Sequence, residues 1–358
     1  MPATEKSQKT QAPQGQGAKA GLDQPTAPVM AKLTRSWLNY VKDLPGAEKA
    51  GGTAGQKAPA GKGPIVGDDT AQKAPAKGPN VGADTPAKLR DEPQPTTVHD
   101  GKKYETKYGD FGTKVFDNGA ELNDIQQGYL GDCFLVAAMG AVAMQRPELI
   151  EKMIKDNGDG TATVTLYTDN GAVAVPGEGK AVEVRISMKL PTTGGSPAYA
   201  RAASKELWPS LIEKAYVAQF AGGDYQNANN GGSPGDAMTA MLGKASTGFS
   251  ATQDNAKTTI SNLETMVKGG KPVVAASFGK DATKGNEGLK KLADEKNVHA
   301  WHAYIVKSAD EKANSIELFN PWGSSQPEKL TAEDFQKLYT WVYVGNPKPP
   351  EKVDPATK

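Results

Sequence analysis

The chain has 358 residues, a formal net charge of +1 and a single cysteine. A near-neutral balance gives no electrostatic pull toward nucleic acid or anionic membranes. One cysteine excludes an intramolecular disulfide framework, and no apolar run approaches the 18 or so residues that a membrane span needs. The length allows two or three domains at roughly 100–200 residues each.

Residues 1–103 are dominated by Pro, Ala, Gly, Lys, Gln and Thr, with few large apolar side chains. Such a segment cannot bury enough surface to offset its ordering entropy, which predicts a disordered N-terminal region. Its first residues hold no apolar core, so no secretory signal peptide is expected. The default compartment is the cytoplasm, with non-classical export open. One island interrupts this region. Leu33, Trp37 and Val41 recur at helical spacing and Pro45 stops the pattern, predicting an amphipathic helix over 29–44. It is either a transient helix or a pro-segment or partner-docking element. A tandem repeat follows over 56–87, where Gln56-Lys57-Ala58-Pro59 returns as Gln72-Lys73-Ala74-Pro75. Polar, Pro-rich copies do not stack into a solenoid and read as a tether.

The folded region is expected from 104 to 346, with a short tail over 347–358. Cys133 follows Gly131-Asp132 and opens an apolar run from Phe134 to Met144. The run lacks strand alternation and reads as a buried helix, with Asp132 at its N-cap and Cys133 in its first turn. A helix N-terminus favours thiolate over thiol, although a lone apolar cysteine is also commonly an inert hydrophobe. Strands are predicted over Thr161–Tyr167 and Val182–Met188, with turns at Asn157-Gly158 and Asn170-Gly171. A helix is predicted from Glu206 to Phe220, provided that Pro209 falls in its first turn. The breaker cluster Asn229–Gly235 marks a seam between a helical half, 104–235, and a β-rich half, 236–346. Beyond it come strands at Pro272–Phe278, Ala303–Lys307 and Ser315–Phe319, a helix at Thr331–Leu338 and a strand at Thr340–Val344.

A cysteine nucleophile needs a base. The chain has three histidines, and His99 lies in the N-terminal region. His299 and His302 stand together before a strand. His302 leads directly into it, and Asn320 at the next strand's end could orient an imidazole, with Trp322 as a shield. A metal pair at His299 and His302, or a plain strand histidine, are the rival readings.

These residues together carry a resemblance. Gln127-Gly128-Tyr129-Leu130-Gly131-Asp132-Cys133-Phe134 resembles the nucleophile motif of the calpain family of cysteine peptidases. Glu206-Leu207-Trp208 to Tyr216, Gly231-Gly232-Ser233, His302-Ala303-Tyr304 and Asn320-Pro321-Trp322-Gly323 are similar to its other motifs, in the same order. The resemblance implies an α+β, papain-like core, with a helical subdomain carrying Cys133 and a β-rich subdomain carrying His302 and Asn320. It implies that Cys133 is the nucleophile, His302 the general base and acid, Asn320 the orienting residue and Gln127 the oxyanion donor. The reaction would be peptide hydrolysis through an acyl-enzyme, with no cofactor in the chemistry. The glycines Gly231 and Gly232 would admit a substrate backbone. Trp301 replaces the family's usual glycine before the histidine and would crowd the cleft, while Phe134 replaces its usual tryptophan.

By the same resemblance, Gly119, Asp124 and Glu206 fall on positions of a calcium site in the first subdomain. An ordinary capping role for Asp124 and Glu206 is the alternative. No ligand set is visible in the shortened 324–329 loop of the second subdomain, so a weakened or absent calcium requirement is expected. The implied partner is a protein or peptide substrate, with the enzyme a monomer. Self-cleavage in the N-terminal region is a further expectation. The alternative function is a catalytically silent binding scaffold on the same fold.

Overall fold

The computed structural model describes residues 87–347, with short breaks at 97, 100–101, 104, 113 and 169–178. The 29–44 helix, most of the 56–87 repeat, the Asn170–Gly171 turn and the tail beyond 347 lie outside the described residues.

The helix Cys133–Gln145 is apolar on every side, and every residue from Cys133 to Ala143 is buried. Such a helix is stable only when covered all round. Helix Pro234–Leu242 and helix Trp208–Phe220 pack on it from one half, and strand Ala303–Asp310 from the other. Gly140 lets the strand approach closely. A Cβ there would stand 3.2 Å from both Ile305 Cδ1 and Leu122 Cδ1. Glycine inside a helix costs about 0.5–1 kcal/mol relative to alanine, and close packing offsets it.

Strand Ala303–Asp310 belongs to a five-stranded antiparallel sheet. Its order is Ser315–Phe319, Ala303–Asp310, Val273–Ser277, Tyr339–Val344 and Thr247–Ser250. Side chains alternate between the faces of a strand. Val274, Ala276, Ala303 and Ile305 therefore join the core around the cysteine helix. Val273, Ala275, Tyr304 and Val306 join a second core beneath helices Ala256–Lys268 and Ala332–Leu338. The first half carries two smaller antiparallel sheets, one of Ile154–Asp156, Thr161–Thr168 and Lys180–Ser187, the other of Lys107–Gly109, Leu190–Thr193 and Ser196–Pro197. Pro209 lies in the first turn of Trp208–Phe220, where its missing N–H is harmless. Among the described residues no single helix is long and apolar enough to cross a membrane.

Three features differ from the sequence expectation. The helical half runs past 235. Ser233 is the N-cap of helix Pro234–Leu242, whose Ala237, Met238, Ala240 and Met241 lie in the cysteine-helix core. The β-rich half carries two further helices, Ala256–Lys268 and Glu287–Glu295. Their signals were the N-caps Asn255 and Asn286 and the spacing of Ile260, Leu263 and Val267, and of Leu289, Leu292 and Ala293. The folded unit also begins before residue 104. Arg90 N–H donates to Arg185 at 2.8 Å and Gln94 N–H to Gly223 at 2.7 Å. The Glu92 carboxylate pairs with Lys214, whose side chain is fully buried. Lys214 also donates to the Ser187 and Lys189 carbonyls at 2.9 and 2.7 Å. This strap is held by backbone and polar bonds, so it leaves no apolar period to read.

The turn before Ala303 is conformationally demanding. Trp301 has a φ of +56°, the left-handed region that glycine occupies at least cost. Its N–H donates to Phe278 at 2.8 Å. Its indole is buried in the first core, where a Cβ on Gly279 would come within 3.1 Å of it. It packs as core rather than as an open cleft wall.

Two stability predictions follow from these contacts. Glu92→Ala leaves Lys214 short of its anionic partner, and denaturant unfolding should show a loss of about 1–3 kcal/mol. Trp301→Ala should cost about 3–5 kcal/mol through the lost side chain. Trp301→Gly, relieved of the left-handed strain, should cost about 1 kcal/mol less. Equal or greater loss in the glycine variant would show that the backbone there is unstrained.

Candidate active site

Three segments far apart in the chain come together where the two halves join: the stretch from Gln127 to Cys133, the strand start at His302–Ala303 and the turn at Asn320–Gly323. Gln127 N–H donates to the Pro321 carbonyl at 2.8 Å, so the segment before the cysteine is bonded to the Asn320–Gly323 turn. Gly128 is required because a Cβ would collide with the carbonyls of Ala198 and Tyr199 at 2.3 and 2.4 Å. The cysteine thus enters its helix from a turn bound on both sides.

Cys133 is the first residue of the helix and is 7% exposed. Its sulfur meets the N–H of Ala303, the residue after His302. Burial pushes the thiol up to about 12, and the charge of Asp132 adds to the rise, against smaller lowering by the Ala303 and Phe134 N–H groups. His302 is 1% exposed. Burial pushes its imidazole down to about 3, opposed by the Asn320 bond and reinforced by His299. Burial thus drives both groups toward their neutral forms. The helix dipole alone does not make a thiolate here, because desolvation outweighs it.

The Asn320 contacts fix the imidazole tautomer. Asn320 Nδ2 donates to Ser325 at 3.1 Å, and its Oδ1 accepts from Trp322 N–H at 3.1 Å. Oδ1 is therefore an acceptor, and His302 Nε2, 2.8 Å away, carries the hydrogen. His302 Nδ1 is left bare, buried and without a hydrogen-bond partner. That nitrogen can take a proton. Trp322 lies tilted over the imidazole at 4.7 Å and Tyr304 meets it edge-on at 4.8 Å, both shielding it from water. His299 lies tilted against Trp322 at 4.6 Å.

Gln127 is buried, and its Nε2 donates one hydrogen to Leu130 at 2.7 Å. A primary amide has a second. The Gly231–Gly232 loop lies over the same turn. A Cβ on Gly232 would strike the Phe134 ring at 2.7 Å, and Asn229 Oδ1 accepts from Gly131 N–H at 2.9 Å.

Ser277 and Gln326 contribute without a sequence signal, and Tyr304 contributes in a way that its motif does not state. Ser277 Oγ donates to the His299 carbonyl at 2.7 Å and accepts from His302 N–H at 2.9 Å. Tyr304 OH accepts from His299 N–H at 2.8 Å. Gln326 Oε1 accepts from Asn320 N–H at 2.9 Å. Ser277 acts across a fold contact, which a local pattern does not record.

Asp124 and Glu206 lie near one another, while the carboxylate beside Gly119 is that of Glu151, 2.7 Å from where a Cβ would stand. Asp124 Oδ2 accepts from Glu121 N–H at 2.8 Å and Trp208 Nε1 at 3.2 Å, so it does serve as a cap. Glu206 accepts from the N–H groups of Asp117 and Asn118, beside Gly119, and feels the Asp124 charge. Its Oε2 is buried with no donor, and burial first, then Asp124, raises its carboxyl. An orphaned carboxylate oxygen facing a second carboxylate fits a hard cation. Among the described residues no group of three or more His, Cys, Asp or Glu side chains is placed to hold a metal, so further oxygens would come from backbone and water.

The sequence model described as "Calpain family cysteine protease" matches residues 105–344. Calpain-13 of Rattus norvegicus is 30% identical over 220 residues, covering 58% of this chain and 30% of the rat protein. Calpain-5 of Mus musculus is 29% identical over 250 residues, covering 63% of this chain and 38% of the mouse protein. The "Calpain-type cysteine protease DEK1" of Zea mays is 26% identical over 276 residues, covering 66% of this chain and 12% of the maize protein. The chain thus aligns with at most about two fifths of each of these relatives. The match spans both halves of the fold and all four clustered residues, and the chain belongs to the calpain family of cysteine proteases, with residues 105–344 forming the calpain catalytic core.

Proposed function

We propose that the chain is a calpain-like endopeptidase that hydrolyses peptide bonds through Cys133, His302 and Asn320, with Gln127 as an oxyanion donor. The observation that carries this reading is the buried His302–Asn320 bond, which leaves one bare imidazole nitrogen on the residue next to Ala303, whose N–H reaches the cysteine.

In this reading His302 Nδ1 takes the thiol proton as Cys133 sulfur attacks the scissile carbonyl. The oxyanion receives the Cys133 N–H and the second Gln127 amide hydrogen. His302 then protonates the leaving amine, giving an acyl-enzyme, and removes a proton from the water that hydrolyses it. Proton transfer accompanies attack, because burial disfavours a standing ion pair. The glycines Gly231 and Gly232 would border the substrate backbone, and Trp301 would shape the site indirectly through the turn that delivers His302. Calcium would be held by Asp124, Glu206 and the Gly119 carbonyl, supplying charge balance to that loop. In the second half, Gln326 is bonded to Asn320, which supports activity that outlasts calcium removal.

Casein cleavage by wild type and Cys133→Ala, each with calcium and with chelator, tests the reading. Cleavage by wild type in both buffers is expected, and none by the variant. No cleavage by wild type in either buffer would favour a binding scaffold. Gln127→Ala should lower kcat by about 10²–10³-fold. Glu206→Gln should abolish any rise in melting temperature on adding calcium, and an unchanged rise would remove calcium from this site. Self-processing predicts that purified wild type, but not Cys133→Ala, is shortened at its N-terminus.

A further inference from the structure

We infer that Asp132 and Glu213 share a single proton and act as a positioning pair, fastening the turn that carries Cys133 to the Trp208–Phe220 helix. Asp132 stands at the N-cap of the cysteine helix, yet its side chain makes no capping bond. Its carbonyl accepts from Leu135 and Val136 N–H at 2.8 and 3.1 Å. Its carboxyl is fully buried, with no N–H or O–H donor on either oxygen. The group that faces it is the carboxyl of Glu213, itself 1% exposed. Glu213 Oε1 accepts from Ala200 N–H at 2.9 Å. Among the described residues, the cation whose charge reaches Glu213 is Arg201, which is not in an ion pair with it.

Two adjacent carboxylates out of water repel one another and lack hydration. One proton between them removes the repulsion and supplies the missing donor in a strong O–H···O⁻ bond. Burial raises both groups, Asp132 to about 7 and Glu213 well above its ordinary range. The other titratable groups around the pair are Tyr108, Tyr199 and Tyr225, all held neutral by burial, and Cys133 on the same turn. The link joins the segment that starts the cysteine helix to the helix that caps the same half. The positioning role rests on Cys133 being the nucleophile. The experiment reads protonation rather than peptide hydrolysis, so the two readings fail separately.

The test uses the full chain and Glu213→Gln, which keeps a donor toward Asp132 but no dissociable proton. A carboxyl raised in the folded state is protonated there and ionised in the unfolded chain. Wild type therefore loses stability as pH rises from the unfolded carboxylate range through the folded value. The melting temperature of Glu213→Gln should gain on wild type steadily from about pH 5 to pH 9. A difference that does not vary with pH overturns the proposal. Glu213→Leu, which leaves Asp132 without a donor, should melt about 10 °C lower. The only cysteine reports on the turn through its alkylation. In Asp132→Asn/Glu213→Gln the pair's charge is gone, and the alkylation midpoint should move to lower pH, whereas a packing role alone would leave it in place. Should the variants not fold, the infrared spectrum of wild type decides. A protonated carboxyl stretch persisting at neutral pH supports the shared proton, and its absence overturns it.

Discussion

Burial of one apolar helix on all its sides governs this molecule. Cys133–Gln145 has no polar face to give to solvent, so two layers must close over it. One layer is the helical half, the other the inner face of the five-stranded sheet. The helix N-terminus then necessarily lies where the layers meet. That seam is where residues from both layers can reach one atom, and Cys133 is there with Gln127 from one side and His302 and Asn320 from the other.

The same burial sets the electrostatics. Thiol, imidazole and the carboxyls around the turn are all driven toward their neutral forms. Charge is tolerated only where several partners converge, as at Lys214 with its carboxylate and two carbonyls. Burial therefore works against standing charges around the turn, and the Asn320 bond fixes the imidazole tautomer. Asn320 illustrates the economy of this arrangement: one amide, oriented by two backbone contacts, determines which imidazole nitrogen is bare.

Much of this was legible in the chain. The cysteine helix, the position of Pro209, and the strands at 273–277, 303–310 and 339–344 follow from hydrophobic pattern and punctuation, and the residues brought to the seam belong to three of the motifs. The helices at 256–268 and 287–295 were written in caps and spacing but were masked by neighbouring β-like runs. The strap at 87–96 was not legible, because Arg90, Glu92 and Gln94 act through polar and main-chain bonds to residues about 95 to 130 positions away. Ser277 was silent for a related reason, since the groups that it bonds lie 22 and 25 positions away. Trp301 was visible as a departure, but its left-handed backbone and its place in the core follow from the turn, which only the fold supplies.

The bond from Gln127 N–H to the Pro321 carbonyl ties the two layers together at the site itself. Parting the halves must break it, while local fraying of either half need not. Exchange of that one amide hydrogen with deuterated water therefore counts the moments at which the seam opens, and a ligand lying across both halves would slow that single exchange more than any other in the Gln127–Asp132 turn.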